Sequence, residues 1–270
     1  MDSATPPFVG DEWLFNDGWS FREEPVLDET STQPWNRFLA LLAQARRGSF
    51  DHVAELSQLL ATEQPHPLFL GALYLTAAVG DVRAVVRWLD SDAFTQAAAA
   101  VVLAGDLSTV DALLRRRRGV GPEVVETMES TLSQLLEPEP ERFYQTGLDD
   151  DAYDARVRDH VGALVEMHGS DTRFALGAPL RVSRLVIKLA LLAEMEQGAR
   201  DEASATIGGL LFHLETLTGV PVRGVVVTDG GGAEVVDRGR LGRVIDTIET
   251  WEKKHKPRSG RRLFCGCLVP

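Results

Sequence analysis

From Pro34 onward, apolar residues recur at the spacing of one helical face. Trp35, Phe38, Leu39, Leu42 and Ala45 form a first stripe; Val53, Leu56, Leu59 and Leu60 a second; Leu70, Leu73, Tyr74 and Ala77 a third. Thr32 with Pro34 reads as a cap and first-turn proline, Pro67 as the opening of the third helix and Gly80 as its end. Later stripes predict helices over Pro122 to Leu136, from Asp149-Asp150-Asp151 through Tyr153, Val157, Val161, Leu164 and Val165, over Leu180 to Gln197, over Asp201 to Leu217, and from Leu241 to about Lys254.

The first half also carries an internal repeat. Gly80-Asp81-Val82-x-x-Val85-x-x-Trp88-Leu89 returns as Gly105-Asp106-Leu107-x-x-Val110-x-x-Leu113-Leu114, and a fainter copy stands upstream at Gly48-x-Phe50-x-x-Val53-x-x-Leu56. The two clear copies come after helices rich in small residues, which let neighbours approach closely, and Gly-Asp turns the chain and caps the second helix of each pair. A single helix pair of this kind cannot bury its own apolar face, so pairs must stack. The expected fold is all-α, made of stacked antiparallel helix pairs, with a short β element near the C-terminus.

Other segments break this pattern. Residues 1–33 are rich in Pro, Asp, Glu, Ser and Thr and read as an extended arm; its Trp13-Leu14-Phe15 and Trp19-Ser20-Phe21 flank Asn16-Asp17-Gly18, a triplet able to close a short hairpin, and either pack their rings onto the first helices or face a partner. The helical repeats then span 34–118. Residues 119–150 hold one helix and the helix-breaking Glu137-Pro138-Glu139-Pro140, a connection between halves, and residues 151–270 hold the remaining helices. Within the last stretch, Val222 to Val227 and Val235-Val236 bracket Thr228-Asp229-Gly230-Gly231-Gly232, a hairpin or a flexible loop, and Leu263-Phe264-Cys265-Gly266 reads as one extended segment.

Composition narrows the partners. A net charge of -12 disfavours nucleic acid and anionic membranes and favours a basic partner. Apolar stretches such as Phe69 to Val79 fall well short of the ~20 residues that cross a bilayer, and no signal-peptide pattern opens the chain, so a cytoplasmic location is expected. Lys stands only at positions 188, 253, 254 and 256 among 28 basic residues, an arginine bias that fits a GC-rich bacterial genome. Two cysteines, Cys265 and Cys267, form no disulfide framework.

The sequence holds few chemical motifs. Thr228-Asp-Gly-Gly-Gly lacks the Lys and hydroxyl spacing of a phosphate loop. His160 and His168 lie more than two turns apart on one predicted helix, too far to share an ion. No nucleophile elbow is present. The tail Cys267-Leu268-Val269-Pro270 imitates a lipidation signal behind a polybasic stretch, but proline is not an accepted last residue. Arg115 to Arg118 reads as a solvated cap closing a helix. The expectation is a protein with no catalytic residues, metal or cofactor.

The Gly80-Asp81 and Gly105-Asp106 copies, the helix end Leu214-Glu215-Thr216-Leu217-Thr218-Gly219-Val220, and Trp251 with Gly260-Arg261-Arg262-Leu263-Phe264-Cys265-Gly266 after it together resemble bacterial HEAT-like repeat proteins. The first-half copies also resemble the second helix of ankyrin repeats, without the Thr-Pro-Leu-His of that family. The resemblance covers most of residues 34–266 and implies an α-solenoid. It further implies a non-catalytic binding module, first an immunity protein that occludes a cognate bacterial toxin, alternatively a scaffold or accessory protein of a secretion system or other assembly. Under the first reading a basic toxin domain is the partner, and Glu137, Glu139, Glu141, Asp149, Asp150 and Asp151 are the acidic residues expected to meet it.

Overall fold

A computed structural model describes residues 19, 33–61, 66–136, 148–168, 178–255 and 262–270. Among them are twelve α-helices, so the chain is mostly helical. The helices are α1 (Pro34–Arg46), α2 (Leu56–Ala61), α3 (His66–Val79), α4 (Arg83–Val86), α5 (Phe94–Ala104), α6 (Val110–Arg117), α7 (Pro122–Leu136), α8 (Asp150–His168), α9 (Ala178–Glu194), α10 (Gln197–Glu202), α11 (Ser204–Thr218) and α12 (Arg238–His255). Two short antiparallel ladders accompany them, β1 (Val226–Thr228) with β2 (Glu234–Val236) and β3 (Leu263–Phe264) with β4 (Cys267–Leu268). No helix among the described residues is long and apolar enough to cross a membrane.

The Gly-Asp turns work as their sequence predicts. Gly105 ends α5 in the left-handed conformation, and the buried Asp106 accepts the Ser108 amide at 2.9 Å. Asp81 takes the Arg83 amide in the same way at 3.0 Å, filling an orphan donor at a helix start. Each turn delivers the chain into a short mixed segment rather than a long second helix. After Asp81, α4 tightens into a 3-10 turn at Arg87–Asp90, ended where the Ser91 hydroxyl donates to the Trp88 carbonyl. Between the turns, Ala97, Ala98 and Ala100 are buried on α5, which packs between α3 and α7. The first helix is entered from Gln33, whose side chain makes no cap bond, while Thr32 lies outside the described residues.

Buried apolar residues fall into two groups. The first includes Trp19, faces of α1 to α8, Phe212 of α11, and Phe264 and Val269 near the C-terminus; the second joins α9, α11 and α12 to the β1–β2 hairpin. Helix α11 serves both. Ile207, Leu211 and Leu214 face the second group, whereas Phe212, about 100° round the helix from Leu211, packs edge-on against Tyr74 of α3 in the first. The β1–β2 loop is ordered by Asp229, whose Oδ1 accepts the amides of Gly231 and Ala233. The Gly-rich stretch is therefore the tip of a hairpin.

Trp19 fills the junction. Its side chain is fully buried against Phe212 and Phe264, its indole Nε1 donates to the Thr216 hydroxyl at 2.8 Å, and its carbonyl accepts from Arg46. The expected aromatic packing of the arm is present at this residue, but the surface it meets includes α11 as well as the first helices.

Residues 262–269 are a hairpin, not the single extended segment expected from sequence. Cys265 (φ 47°) and Gly266 (φ 79°) form its two-residue turn, and a positive φ at cysteine is not a signal that pattern reading recognises. The turn is held by what it caps. The Cys265 and Gly266 amides donate to the carbonyls of Thr216 and Leu217, two orphan acceptors at the end of α11. Gly219 makes the close approach possible, since a Cβ there would stand 2.8 Å from the Cys265 carbonyl oxygen. On the other side Arg262 donates to the carbonyl of Gly80 at 2.9 Å and faces those of Ala77 and Ala78, closing the end of α3.

Burial, reinforced by the charge of Glu215, pushes the Cys265 thiol up to about 12. In the native chain at pH 8 this thiol is expected to resist a disulfide-exchange reagent and to react after denaturation, because only the thiolate attacks. The linkage sign is that of a raised acid: the stabilising difference is complete below the ordinary thiol range and is lost as pH climbs from there towards about 12. Fast labelling of native Cys265 at pH 8, detected by mass spectrometry of the modified peptide, would contradict this placement.

Candidate functional site

Glu137, Glu139 and Glu141 lie outside the described residues. The other three acidic candidates stand at the start of α8, where the residue types dictate a helix start. The Asp149 carboxylate accepts the Ala152 amide at 2.8 Å, and Asp150 and Asp151 occupy the first turn, where negative charge meets the positive end of the helix dipole. Asp150 and Asp151 also turn towards the chain itself: Asp150 accepts from Arg117 at 2.6 Å and Asp151 from Arg118 at 2.8 Å.

The arginine run is accordingly more than a solvated cap. Arg117 is buried, bonded to Glu129 of α7 as well as Asp150 of α8, with its guanidinium 4.0 Å over the Tyr153 ring. Desolvation opposes its charge, but the bonds from Glu129 and Asp150 prevail and hold the guanidinium above its ordinary pKa. Arg118 reaches the buried Asp154 at 2.5 Å, and the bonds from Asp154 and Asp151 raise it likewise. The two side chains join α6 to α7 and α8. Sequence spacing could not reveal this, because the carboxylates involved lie 12 to 36 residues away.

The largest surface anomaly is on α9. Leu185, Val186 and Leu189 are buried in the second apolar group, while Ile187, Leu191 and Met195 at the end of the helix are exposed at 59, 61 and 36%. Those three are spaced four apart, Ile187 and Leu191 on a second face of the helix and Met195 one residue past its end. Beside it lies a groove of about 660 Å³ between α5 and α7 on one wall and α9 and α11 on the other, with Ala99, Val102, Leu185, Leu192 and Leu210 in its lining and Lys188, Gln134 and His213 offering polar atoms. A helix with apolar residues on two faces ordinarily has both covered. The signal was present in the sequence: residues 185–192 contain only one charged position, Lys188, too many apolar residues for one stripe.

Among the described residues no group of three or more His, Cys, Asp or Glu side chains could hold a metal ion. What the described surface offers is an apolar recess with polar atoms in its lining. Comparison with protein families, with curated proteins and with solved structures finds no match to this chain.

Proposed function

We propose that this chain is a non-catalytic protein-binding module that takes an apolar element of a protein partner against α9, and that it acts as an immunity protein by occluding a basic toxin domain. In this reading the helix pairs of residues 34–136 stack as a short HEAT-like or ankyrin-like solenoid and hold the recess in place. The observation that carries it is the exposed stripe Ile187, Leu191 and Met195 alongside the 660 Å³ groove, since contiguous exposed apolar surface marks an interaction site. The net charge of -12 supports a basic partner by steering its approach. With Asp150 and Asp151 turned onto Arg117 and Arg118, attraction comes from the overall charge, and affinity comes from the apolar stripe.

The test is co-expression of the full chain with the product of the adjacent gene, reading complex formation by size and survival of the host cells. The double variant Ile187→Asp, Leu191→Asp is expected to keep its helical circular dichroism and to bind about a hundredfold more weakly, the loss of two buried aliphatic contacts. Host survival should fall with it. Unchanged binding by this variant would remove the α9 face from the proposal. A stable complex with no effect on survival would replace the toxin-neutralising role with that of a scaffold.

A further inference from the structure

A second recess, on the opposite kind of chemistry, opens where the two Gly-Asp copies face each other. It is a half-open groove of about 360 Å³ walled by the α4 to 3-10 segment on one side and α6 on the other. Four arginines line it, Arg87 from the first wall and Arg115, Arg116 and Arg118 from the second, against a single acidic residue, Asp90. Val86, Leu89 and Ala112 complete the lining with apolar surface. On a chain of net charge -12 such a concentration of arginine runs against the bulk composition.

The hydrogen bonds show which nitrogens are committed. Arg116 donates from Nε to the Leu89 carbonyl at 2.7 Å, which ties one wall to the other, and its Nε stands 3.6 Å from Asp90. Arg115 donates from Nε to the Asp111 carbonyl at 3.2 Å. Arg118 is anchored through Nε and Nη2 on Asp154 and Asp151. Arg87 lies over the Trp88 ring at 5.7 Å. Among the described residues the terminal nitrogens of Arg87, Arg115 and Arg116 make no hydrogen bond to the protein, and those of Arg115 and Arg116 belong to side chains already fixed at Nε. Donors held in place with their outer N–H groups unspent are preorganised for an anion.

The geometry points to a binding site for a phosphoryl group on a small molecule, with the apolar lining receiving the body that carries it. Three considerations select this ligand class. A tetrahedral dianion accepts from guanidinium groups on two walls at once, whereas one planar carboxylate is satisfied by a single fork. A recess of about 360 Å³ accommodates a monomeric ligand and gives a polynucleotide strand no track along the surface. The excess negative charge of the chain as a whole repels a long polyanion while leaving a short-range site intact. The site is on different elements from the α9 face and stands or falls apart from the proposed function.

Isothermal titration of the full chain with phenyl phosphate, inorganic phosphate and acetate tests it. Phenyl phosphate is expected to bind one to one with a Kd of about 0.1–1 mM, the strength of two or three charge-assisted hydrogen bonds. Tighter binding of the ester than of inorganic phosphate assigns the site to phosphorylated metabolites; equal binding assigns it to free phosphate; either supports a phosphoryl site. Arg87→Gln and Arg115→Gln, whose side chains make no ion pair among the described residues, should each weaken binding about tenfold without moving the thermal midpoint. Asp90→Asn, by removing the carboxylate that lines the groove, should tighten it a few-fold, a change that a merely structural role for this residue would not produce. Acetate binding as tightly as phosphate, no saturable binding by any phosphate probe, or indifference to Arg87→Gln and Arg115→Gln would overturn the proposal.

Discussion

Replacing Trp19 by alanine is expected to lower the free energy of unfolding by about 3–5 kcal/mol, the cost of emptying a buried aromatic site. The indole is fully buried between Phe212 and Phe264, with ring centroids at 5.4 and 5.5 Å. Its loss would leave a cavity where the first apolar group, α11 and the terminal hairpin meet, so the surrounding side chains have little freedom to collapse inwards. The polar contacts magnify the effect. The Thr216 hydroxyl accepts from the indole and itself donates to the Phe212 carbonyl, and the Trp19 amide donates to the buried Glu215 carboxylate at 3.2 Å. Trp19→Phe keeps most of the ring contacts and forfeits the indole bond, so a smaller loss of about 1–2 kcal/mol is expected. Urea unfolding of the three chains, with an unchanged m-value, is the measurement. A shift under about 1 kcal/mol for the alanine variant would mean that Trp19 is not a core residue in solution.

Arg117→Met is expected to cost about 2–4 kcal/mol. The substitution retains apolar volume over Tyr153, so packing is largely preserved and the change isolates the charge. Glu129 and Asp150 would then face each other across a gap with no cation between them. Removing one partner of a buried ion pair costs most when the carboxylates left behind are dry. Here Glu129 is 21% and Asp150 56% exposed, so water recovers part of the loss and the expected value sits below that of a fully buried triad. A triple variant that also carries Glu129→Gln and Asp150→Asn should regain at least half of the loss, whereas a structural defect of the methionine itself would not be repaired. Thermal unfolding monitored by circular dichroism reads all of these.

The helices themselves were legible. Pro122–Leu136 matches the span read from apolar spacing, α9, α11 and α12 differ at their ends, and the Gly-Asp repeats announced caps that Asp81 and Asp106 indeed make. Local rules were sufficient there because caps and stripes involve residues a few positions apart. Three features escaped for the same physical reason. Arg117 finds Asp150 across 33 residues, Trp19 finds Thr216 across 197, and the terminal turn is stabilised by carbonyls at the end of α11. None of these partnerships leaves a periodic trace. The apolar excess of α9 was visible, but which of its faces meets solvent depends on where α11 and α12 lie.

The Trp19 junction also has a kinetic meaning. Two of its hydrogen-bonding partners are 196 and 197 positions further along, and Arg262 lies 182 to 185 positions beyond the carbonyls it closes. At ribosomal rates of about 5–20 residues per second, roughly 10–50 s separate the emergence of the tryptophan from that of its last neighbour, Phe264. During that interval the apolar side of the early helices has no lid, and a chain built mostly from fast, local contacts must wait on a few slow, distant ones. Nascent copies are therefore the form of this protein most in need of a chaperone.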